Sequence, residues 1–287
     1  MELNSDDNLH AIKRFVVRGK AFDVSTPRVM GIVNTTPDSF SDGGRYTDKQ
    51  KAMSHIRKMV DEGAYIIDVG GESTRPGSEP VPFEEEIQRT IPVLEDAIKE
   101  FPEIFFSIDT TKYKVAKKAL EAGAHFINDV SGLQKSPEFT TLCNEFGAGL
   151  MIMHSQGEPK TMQQNPSYND VVSEVIEFLD KAVKKAKDAG VSAIITDPGI
   201  GFGKTMEHNI ALLRNLSSFQ KLGYPVLLGV SRKSMIGKIL NDRPVDGRLA
   251  GSIALQYDGL LQGADILRVH DVQEAFDSIL MYNALHQ

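Results

Sequence analysis

The stretch EGAYIIDVG, residues 62 to 70, contains a glycine followed by a short run rich in Ile and Val. Gly63 can adopt the left-handed conformation that ends a helix at little steric cost. In the run after it, apolar residues follow one another rather than alternating with polar ones. This pattern is typical of a strand covered on both faces in a parallel sheet. The segment therefore predicts a helix end followed by a buried parallel strand.

The same pattern recurs along the chain in segments 121–130, 146–154, 188–199, 222–231 and 263–270, and two further apolar runs lie at 28–34 and 105–110. The predicted strands are Arg28–Asn34, Tyr65–Gly70, Phe105–Thr110, Phe126–Val130, Leu150–His154, Ile194–Asp197, Val226–Ser231 and Ile266–His270. Eight such strands separated by helices favour an α/β fold of the (β/α)8 TIM barrel type. A doubly wound open sheet is the alternative.

Helical periodicity separates the strands. Apolar residues three or four positions apart form stripes within 52–60, 87–98, 172–183 and 249–260. Pro92 is predicted to kink the second helix or to mark its start. Residues 11–24 alternate weakly around Gly19, which predicts a β-hairpin covering the barrel bottom. We expect residues 1–10 to be a disordered tail and residues 11–287 to form a single domain.

Composition excludes several classes of protein. The chain has 287 residues and a net charge of −7 without a basic block, which argues against a nucleic-acid partner. Its single cysteine, Cys143, excludes an intrachain disulfide and is expected to pack in the core. The polar N-terminus lacks the apolar core of a signal peptide, and no apolar run is long enough to span a membrane. We expect a soluble, cytoplasmic protein.

Polar side chains lie at the end of every predicted strand. They are Asn34, Asp68, Asp109, Asn128, Asp129, His154, Asp197, Ser231, Lys233, Arg268 and His270. Turn chemistry explains Asp and Asn at such positions but not Arg or His. In barrel enzymes the active site lies at the carboxyl ends of the strands, so this set predicts an active site.

The cations in this set predict an anion site. Lys233 follows the seventh strand, Arg268 and His270 end the eighth, and Arg75 lies in the loop after the second. Loops after strands seven and eight of a barrel recurrently bind phosphate, and Arg and Lys suit phosphate oxygens. A phosphorylated substrate is therefore expected. Arg232, next to this group, is instead predicted to form an outward salt bridge.

The acids need a different partner. Asp109 and Asp197 can each accept two adjacent hydrogen bonds, and Asn128 can both donate and accept. A flat heterocycle with adjacent N–H and NH2 donors, such as a pterin or guanine, fits this set, although a general-base role is an alternative. Asn34 and diphosphate oxygens could share a Mg2+ ion. No spacing such as H-E-x-x-H predicts a dedicated metal cage.

Motifs in chain order over about residues 28–275 resemble the dihydropteroate synthase family, the folate-pathway enzymes that sulfonamides target. The segments are NTTPDSFSDGG, IDVGGESTRPG, SIDT, INDVSG, MHSQGEPKTMQ, DPGIGFGK, GVSRKSMIG and RVHDV. The resemblance implies a transferase that joins 6-hydroxymethyl-7,8-dihydropterin diphosphate to p-aminobenzoate and releases diphosphate. It also implies a dissociative mechanism, a Mg2+ cofactor and a homodimer formed through the last helices.

The same resemblance implies roles for individual residues. The pterin site would comprise Asp109, Asn128, Asp197, Lys233 and Thr74. Diphosphate would bind Asn34, Arg268 and His270, with Mg2+ at Asn34. The p-aminobenzoate pocket would comprise Phe40, Pro76, Ser231 and Arg75. Asp109, Lys233, Asp42 and Arg75 would be the catalytic residues.

The long loop after the first strand is predicted to be a lid. It runs from Asn34 toward a helix expected to start at Asp48. We expect it to be mobile without substrate. With both ligands bound, Phe40 would pack on p-aminobenzoate and Asp42 would pair with Arg75.

Three other functions are consistent with parts of the pattern. A pterin-dependent methyltransferase on the same barrel would use the same Asp and Asn set, but it would not need the long loop or the anion site. A sugar-phosphate lyase or aldolase would usually need a Schiff-base lysine or a metal-ligand set inside the barrel. A non-catalytic binding protein is the third alternative.

Overall fold

The computed structural model describes residues 12–35, 45–73, 78–157 and 160–286. Its main sheet has eight parallel strands that form a nearly closed barrel with helices between them. A separate pair of antiparallel strands lies near the N-terminus. The predicted TIM barrel is therefore confirmed, and the doubly wound open sheet is wrong.

The strands are β1 Arg14–Val17, β2 Lys20–Asp23, β3 Arg28–Asn34, β4 Ile66–Gly70, β5 Phe105–Asp109, β6 Phe126–Asp129, β7 Gly149–Met153, β8 Ile194–Asp197, β9 Leu227–Leu228 and β10 Ile266–Val269. The helices are α1 Arg45–Asp61, α2 Phe83–Glu100, α3 Tyr113–Glu121, α4 Phe139–Phe146, α5 Val171–Asp188, α6 Met206–Arg214, α7 Ser234–Ile239, α8 Leu249–Leu261 and α9 Val272–His286.

The barrel closes where β8 meets β9. In the sheet the order is β8, β7, β6, β5, β4, β3, β10, β9. A parallel bridge between Thr196 and Val226 joins the two ends, and the Thr196 amide donates to the Pro225 carbonyl at 2.9 Å. The predicted strand Val226–Ser231 shortens to Leu227–Leu228. After it the Val230 carbonyl accepts from the Lys233 amide in a turn.

Two helices differ from the predictions. Helix α1 begins at Arg45, three residues before the predicted start at Asp48. Helix α2 begins after Pro82 and continues through Pro92, so Pro92 does not mark its start. Three glutamates occupy the first turn of α2, where the helix dipole favours negative charge. The acidic first turn therefore favours a helix start after Pro82 rather than at the internal proline.

The hairpin β1–β2 covers the N-terminal end of the barrel, as predicted. The Phe22 ring centroid lies 5.0 Å from that of Phe105 in an edge-on contact and 4.9 Å from that of Phe126. Phe105 and Phe126 are the first residues of β5 and β6. The hairpin thus seals the barrel at the bottom and leaves the carboxyl ends of the strands as the open face.

Strand side chains are buried on both faces, which explains why the apolar runs are continuous. One cluster fills the barrel and includes Phe22, Phe105 and Phe126, whereas the other lies between strands and helices and includes the fully buried Cys143. The expected core position of Cys143 is confirmed. No helix in the described part of the chain is long and apolar enough to cross a membrane.

Candidate active site

Strand register brings the predicted acids together at the open face. Asp109 at the end of β5 pairs in register with Gly70 of β4 on one side and with Asn128 of β6 on the other. Asp197 ends β8. Asp109, Asn128 and Asp197 are 4%, 4% and 7% exposed. These side chains are thus nearly sealed from water, where polar groups need partners.

Arg268 of β10 pairs with two carboxylates. Its Nε donates to Asp68 Oδ2 at 2.7 Å, and its Nη2 donates to Asp109 Oδ2 at 2.8 Å. Burial lowers the pKa of the guanidinium, but the facing charges of Asp68 and Asp109 outweigh it and raise that pKa above its ordinary value. Arg268 therefore stays charged and links β10 to β4 and β5.

Asp68, one of the predicted strand-end residues, has contacts to which the sequence analysis assigned no role. It is fully buried and also accepts from Ser107 Oγ at 2.6 Å and from Asn128 Nδ2 at 2.9 Å. Its position among the polar strand-end residues was visible in the sequence. Its partners were not, because they belong to three other strands. The structure thus shows which residues Asp68 contacts, and Ser107 supports its Oδ1 from β5.

Asp109 has a free acceptor. Among the described residues its Oδ1 is buried and has no hydrogen-bond partner. Burial raises the pKa of Asp109 to about 7, against the opposing charge of Arg268. An unsatisfied buried acceptor costs roughly 1–3 kcal/mol, a cost that a hydrogen bond from a ligand N–H to this oxygen would remove.

Asp197 is held by the turn that follows it. Its Oδ1 accepts from the Gly199 amide at 2.7 Å. Burial raises the pKa of Asp197 above its ordinary value, while the Gly199 hydrogen bond and the charge of Lys233 oppose the rise. The backbone contact orients this carboxylate without using a second side chain.

Lys233 and Phe202 meet across the barrel mouth. The Lys233 Nζ lies 4.2 Å from the centroid of the Phe202 ring, which is within the range of a cation–π contact. A Cβ added at Gly201 would lie 3.4 Å from the Lys233 Cδ, so the lysine passes close to the backbone of this turn. Phe202 belongs to the motif DPGIGFGK, but the sequence predicted no role for this residue.

The turn carrying Phe202 is anchored by Lys204, a second residue that the sequence reasoning missed. Its Nζ is buried and contacts the carbonyls of Gly199 and Phe202 at 2.9 and 3.0 Å and His154 Nδ1 at 2.9 Å. Burial lowers the pKa of Lys204 to about 7. Burial and the Lys204 charge lower the pKa of His154 to about 3, which keeps its ring neutral.

Ser231 and His270 are in contact, although the prediction assigned them to different substrates. The His270 amide donates to Ser231 Oγ at 3.2 Å, and His270 Nδ1 lies 3.1 Å from the same oxygen. Next to them Arg232 Nε donates to Asp271 Oδ2 at 3.0 Å, which confirms the predicted salt bridge of Arg232. The predicted anion site and arylamine pocket therefore adjoin each other.

Asn34 ends β3 beside this cluster. It pairs in register with Gly70. A Cβ built at Gly70 would lie 3.8 Å from Asn34 Oδ1 and 3.4 Å from the Asp109 Cβ, so Asn34 and Asp109 flank the same glycine. No group of three or more His, Cys, Asp or Glu able to hold a metal occurs in the described ranges. One amide oxygen suits Mg2+ held mainly by substrate oxygens and water.

Five predicted residues lie outside the described residues, as do residues 36–44 of the proposed lid; the five are Phe40, Asp42, Thr74, Arg75 and Pro76. The described residues flanking the last three are held by ion pairs. Lys112 Nζ contacts Glu72 Oε2 at 2.6 Å and Glu86 Oε2 at 2.5 Å, and Glu72 Oε2 also accepts from the Val81 amide at 2.6 Å. Both sides of this loop are therefore anchored to α2 and to the loop before α3.

A small cleft of about 40 Å³ lies beside Phe202. Its lining comprises Glu72, Thr111, Val130, Ser131, Lys135, Ser155, Gly157, Met162 and Phe202. The lining residues Thr111, Val130 and Ser155 follow β5, β6 and β7, so the cleft lies on the face where the strands end.

Comparison with known proteins identifies the family of this chain. A model of the pterin binding enzyme family matches residues 30–270. The dihydropteroate synthase of Escherichia coli (strain K12) is 44% identical over 273 residues, which cover 94% of this chain and 96% of the relative. This chain belongs to the dihydropteroate synthase family of pterin-binding enzymes. The predicted family and enzyme class, a transferase, are confirmed.

Solved structures of the family have the same fold. The Yersinia pestis dihydropteroate synthase, determined with a sulfonamide drug complex, is 41% identical with a TM-score of 0.88, covering 95% of this chain and 98% of that one. The Xanthomonas albilineans dihydropteroate synthase, determined with 4-aminobenzoic acid, is 40% identical with a TM-score of 0.88 and the same coverages. The barrel is therefore common to this chain and to its family.

Proposed function

We propose that this chain condenses 6-hydroxymethyl-7,8-dihydropterin diphosphate with p-aminobenzoate and releases diphosphate and 7,8-dihydropteroate. The observation that carries the proposal is the buried set Asp109, Asn128 and Asp197, in which Asp109 Oδ1 has no hydrogen-bond partner among the described residues. A flat ring with several N–H donors satisfies such a set. Membership of the dihydropteroate synthase family supports the choice of ring.

The pterin would bind between the acids and Lys233. Asp197 would accept from the ring N3–H and the 2-amino group, and Asp109 would accept through its free Oδ1. Lys233, on the Phe202 ring, would donate toward O4 and N5. Thr74 is proposed to complete the pterin site. Because Asp109 and Asp197 are buried, each hydrogen bond to a charged acceptor is worth about 1.5–3 kcal/mol.

The diphosphate would leave toward Arg268, His270 and Asn34. A guanidinium has five N–H donors, and the pairs with Asp68 and Asp109 use two of its nitrogens. Within the described ranges the remaining donors of Arg268 have no partner, so they could bind an anion. We propose Mg2+ as the cofactor at Asn34, where it would neutralise charge on the leaving diphosphate.

The chemical step is proposed to be dissociative. The bond from the exocyclic methylene to the diphosphate breaks first, and the amine of p-aminobenzoate then attacks the pterin cation. Ionised Asp109 near the ring would offset the developing positive charge. The arylamine is already a nucleophile, so no Ser or Cys nucleophile is required. Asp42 and Arg75 are proposed as further catalytic residues on the two loops.

The p-aminobenzoate pocket is proposed to form around Ser231, with Phe40, Pro76 and Arg75 from the loops. Ser231 is buried and contacts His270, so the arylamine would lie next to the departing diphosphate. We also propose that sulfonamides inhibit the reaction by occupying this pocket, since a sulfonamide is bound in the complex of the Yersinia pestis relative.

A homodimer is proposed through the last two long helices. Helices α8 and α9 expose Leu261, Leu280, Met281 and Leu285, each at least half exposed. Substituting Met281→Glu should shift the protein from dimer to monomer in light scattering after size exclusion. The matched change Val16→Glu, in the exposed hairpin, should leave the dimer intact. A dimer that persists in the Met281 variant would contradict the proposal.

The deciding experiment is a diphosphate-release assay with purified protein. Release should require both the pterin diphosphate and p-aminobenzoate, and it should be at background with either substrate alone. Equal release without arylamine would indicate a hydrolase instead. Transfer of a methyl group from a methylated folate would instead favour the methyltransferase alternative.

A further inference from the structure

Asp68 is the most connected carboxylate of the site, yet it has no place in the proposed chemistry. It is fully buried. Its Oδ1 accepts from Ser107 Oγ at 2.6 Å, and its Oδ2 accepts from Asn128 Nδ2 at 2.9 Å and from Arg268 Nε at 2.7 Å. Both oxygens are therefore occupied by protein donors, which leaves Asp68 poorly placed to contact a ligand.

The contact with Asn128 decides which way that amide faces. A carboxylate only accepts hydrogen bonds, so Asp68 attracts the amide nitrogen and repels the amide oxygen. Asn128 must therefore direct Nδ2 at Asp68, and its Oδ1 is directed away. A flipped amide would place an oxygen against a buried negative charge, which is unfavourable.

The contact with Arg268 decides the plane of its guanidinium. Nε is held by Asp68 on β4 and Nη2 by Asp109 on β5. Two carboxylates on neighbouring strands therefore hold the guanidinium at two points. Its remaining N–H donors are fixed in one orientation. Without Asp68 the guanidinium would keep only the contact with Asp109. It could then rotate about that single contact.

We propose that Asp68 is a positioning residue that orients Asn128 for the pterin ring and Arg268 for the leaving diphosphate. The inference rests on the proposed function. Asp68 contacts the residues that would bind substrate, and through them it determines which hydrogen-bonding pattern the pocket presents. The pocket therefore distinguishes rings by the pattern of donors and acceptors at their edge as well as by shape.

The test substitutes Asp68→Asn, which keeps the shape and removes the charge. We expect affinity for 6-hydroxymethylpterin, measured by calorimetry, to fall about tenfold or more. KM for p-aminobenzoate should change less than about twofold at saturating pterin diphosphate. The preference for 6-hydroxymethylpterin over an analogue whose donor and acceptor are exchanged at the ring edge facing Asn128 should also narrow, because Asn128 can then present either end of its amide.

Ser107→Ala is the matched control. It removes one donor from Asp68 Oδ1 and leaves the contacts with Asn128 and Arg268 in place, so ring preference should stay as in the wild type. Equal effects of the two substitutions on ring preference would overturn the proposal, since they would indicate a general structural role. Unchanged pterin affinity in Asp68→Asn would overturn it as well.

Asp68→Glu provides a second variant in case Asp68→Asn does not fold. It keeps the charge but displaces the carboxylate by one methylene. If the position of the carboxylate orients Asn128, this variant should also lose ring preference. Wild-type ring preference in this variant would overturn the proposal. If the wild-type protein released no diphosphate in the assay with both substrates, the proposed function itself would be refuted. Failure of the proposed function and failure of the role of Asp68 can therefore be told apart.

Discussion

The Lys233 ammonium lies 4.2 Å from the centroid of the Phe202 ring. The two residues follow different strands, β8 and β9, which meet only where the barrel closes. The contact therefore ties the two loops together over the mouth of the site. It also places a positive charge on the face of an aromatic ring at the mouth of the site.

Replacing Phe202 by Leu should weaken pterin binding. The substitution keeps apolar bulk but removes the π face under Lys233, a contact worth roughly 0.5–2 kcal/mol. Calorimetry with 6-hydroxymethylpterin measures the loss. Phe146→Leu is the control, because it removes a cation–π contact with Arg18. Equal losses in both variants would contradict a local role for Phe202.

Asp197→Asn should weaken pterin binding by about 1.5–3 kcal/mol, because a ring donor loses its charged acceptor. The affinity is again measured by calorimetry. Asp265→Asn is the matched control: Asp265 is also a buried acid, but it pairs with Lys13. If Asp197→Asn binds pterin as wild type does, Asp197 does not contact the ring.

The pH dependence of Asp109 provides a third prediction. Burial raises its pKa from 3.8 to about 7 in the folded protein, so the folded state holds this proton more tightly than the unfolded state. The resulting stability is fully present below pH 4 and is lost as pH rises through about 7. Since ionised Asp109 is proposed to act in catalysis, kcat/KM should conversely fall as pH drops through about 7.

Urea unfolding at pH 5 and pH 8 measures the stability effect. The free energy of unfolding of the wild type should decrease between these pH values by about 1 kcal/mol or more relative to Asp109→Asn, which lacks the titrating group. Parallel pH dependence in the two proteins would mean that Asp109 titrates at its ordinary pKa.

Gly199→Ala should be strongly destabilising. Gly199 has a φ of +68°, and an added Cβ would come within 1.8 Å of the His154 carbonyl oxygen. Gly19 has a similar φ of +79° with nothing within 4 Å of an added Cβ. Urea unfolding should show a loss for Gly199→Ala at least about 2 kcal/mol larger than for Gly19→Ala. Similar losses would show that the turn can shift to admit a side chain.

Chelating divalent cations should weaken binding of the pterin diphosphate far more than binding of the free pterin. The reason is that Mg2+ at Asn34 would contact only the diphosphate. Calorimetry with each ligand before and after EDTA measures the difference. In Asn34→Ala the pterin diphosphate should become nearly insensitive to EDTA. Equal effects of EDTA on both ligands would argue against a metal at the diphosphate.

The sequence by itself determined the barrel and much of the candidate site. Glycines after helices indicate local backbone conformation, and continuous apolar runs indicate burial. Both are properties of short segments. Two predicted strands, Arg28–Asn34 and Ile194–Asp197, match the structure at both ends. Parallel strands end at one face of a barrel, so Asp109, Asn128 and Asp197 could be grouped before any coordinates were known.

Only the tertiary structure decided how these residues are paired. Arg268 contacts Asp68 across a separation of 200 residues, and Lys204 contacts His154 across 50. Such contacts depend on which strands become neighbours when the barrel closes and on the rotamers that packing permits. Periodicity in a sequence indicates that a polar residue is buried. It does not indicate which group forms the hydrogen bond that this buried residue needs, because that partner depends on the packing of the closed barrel.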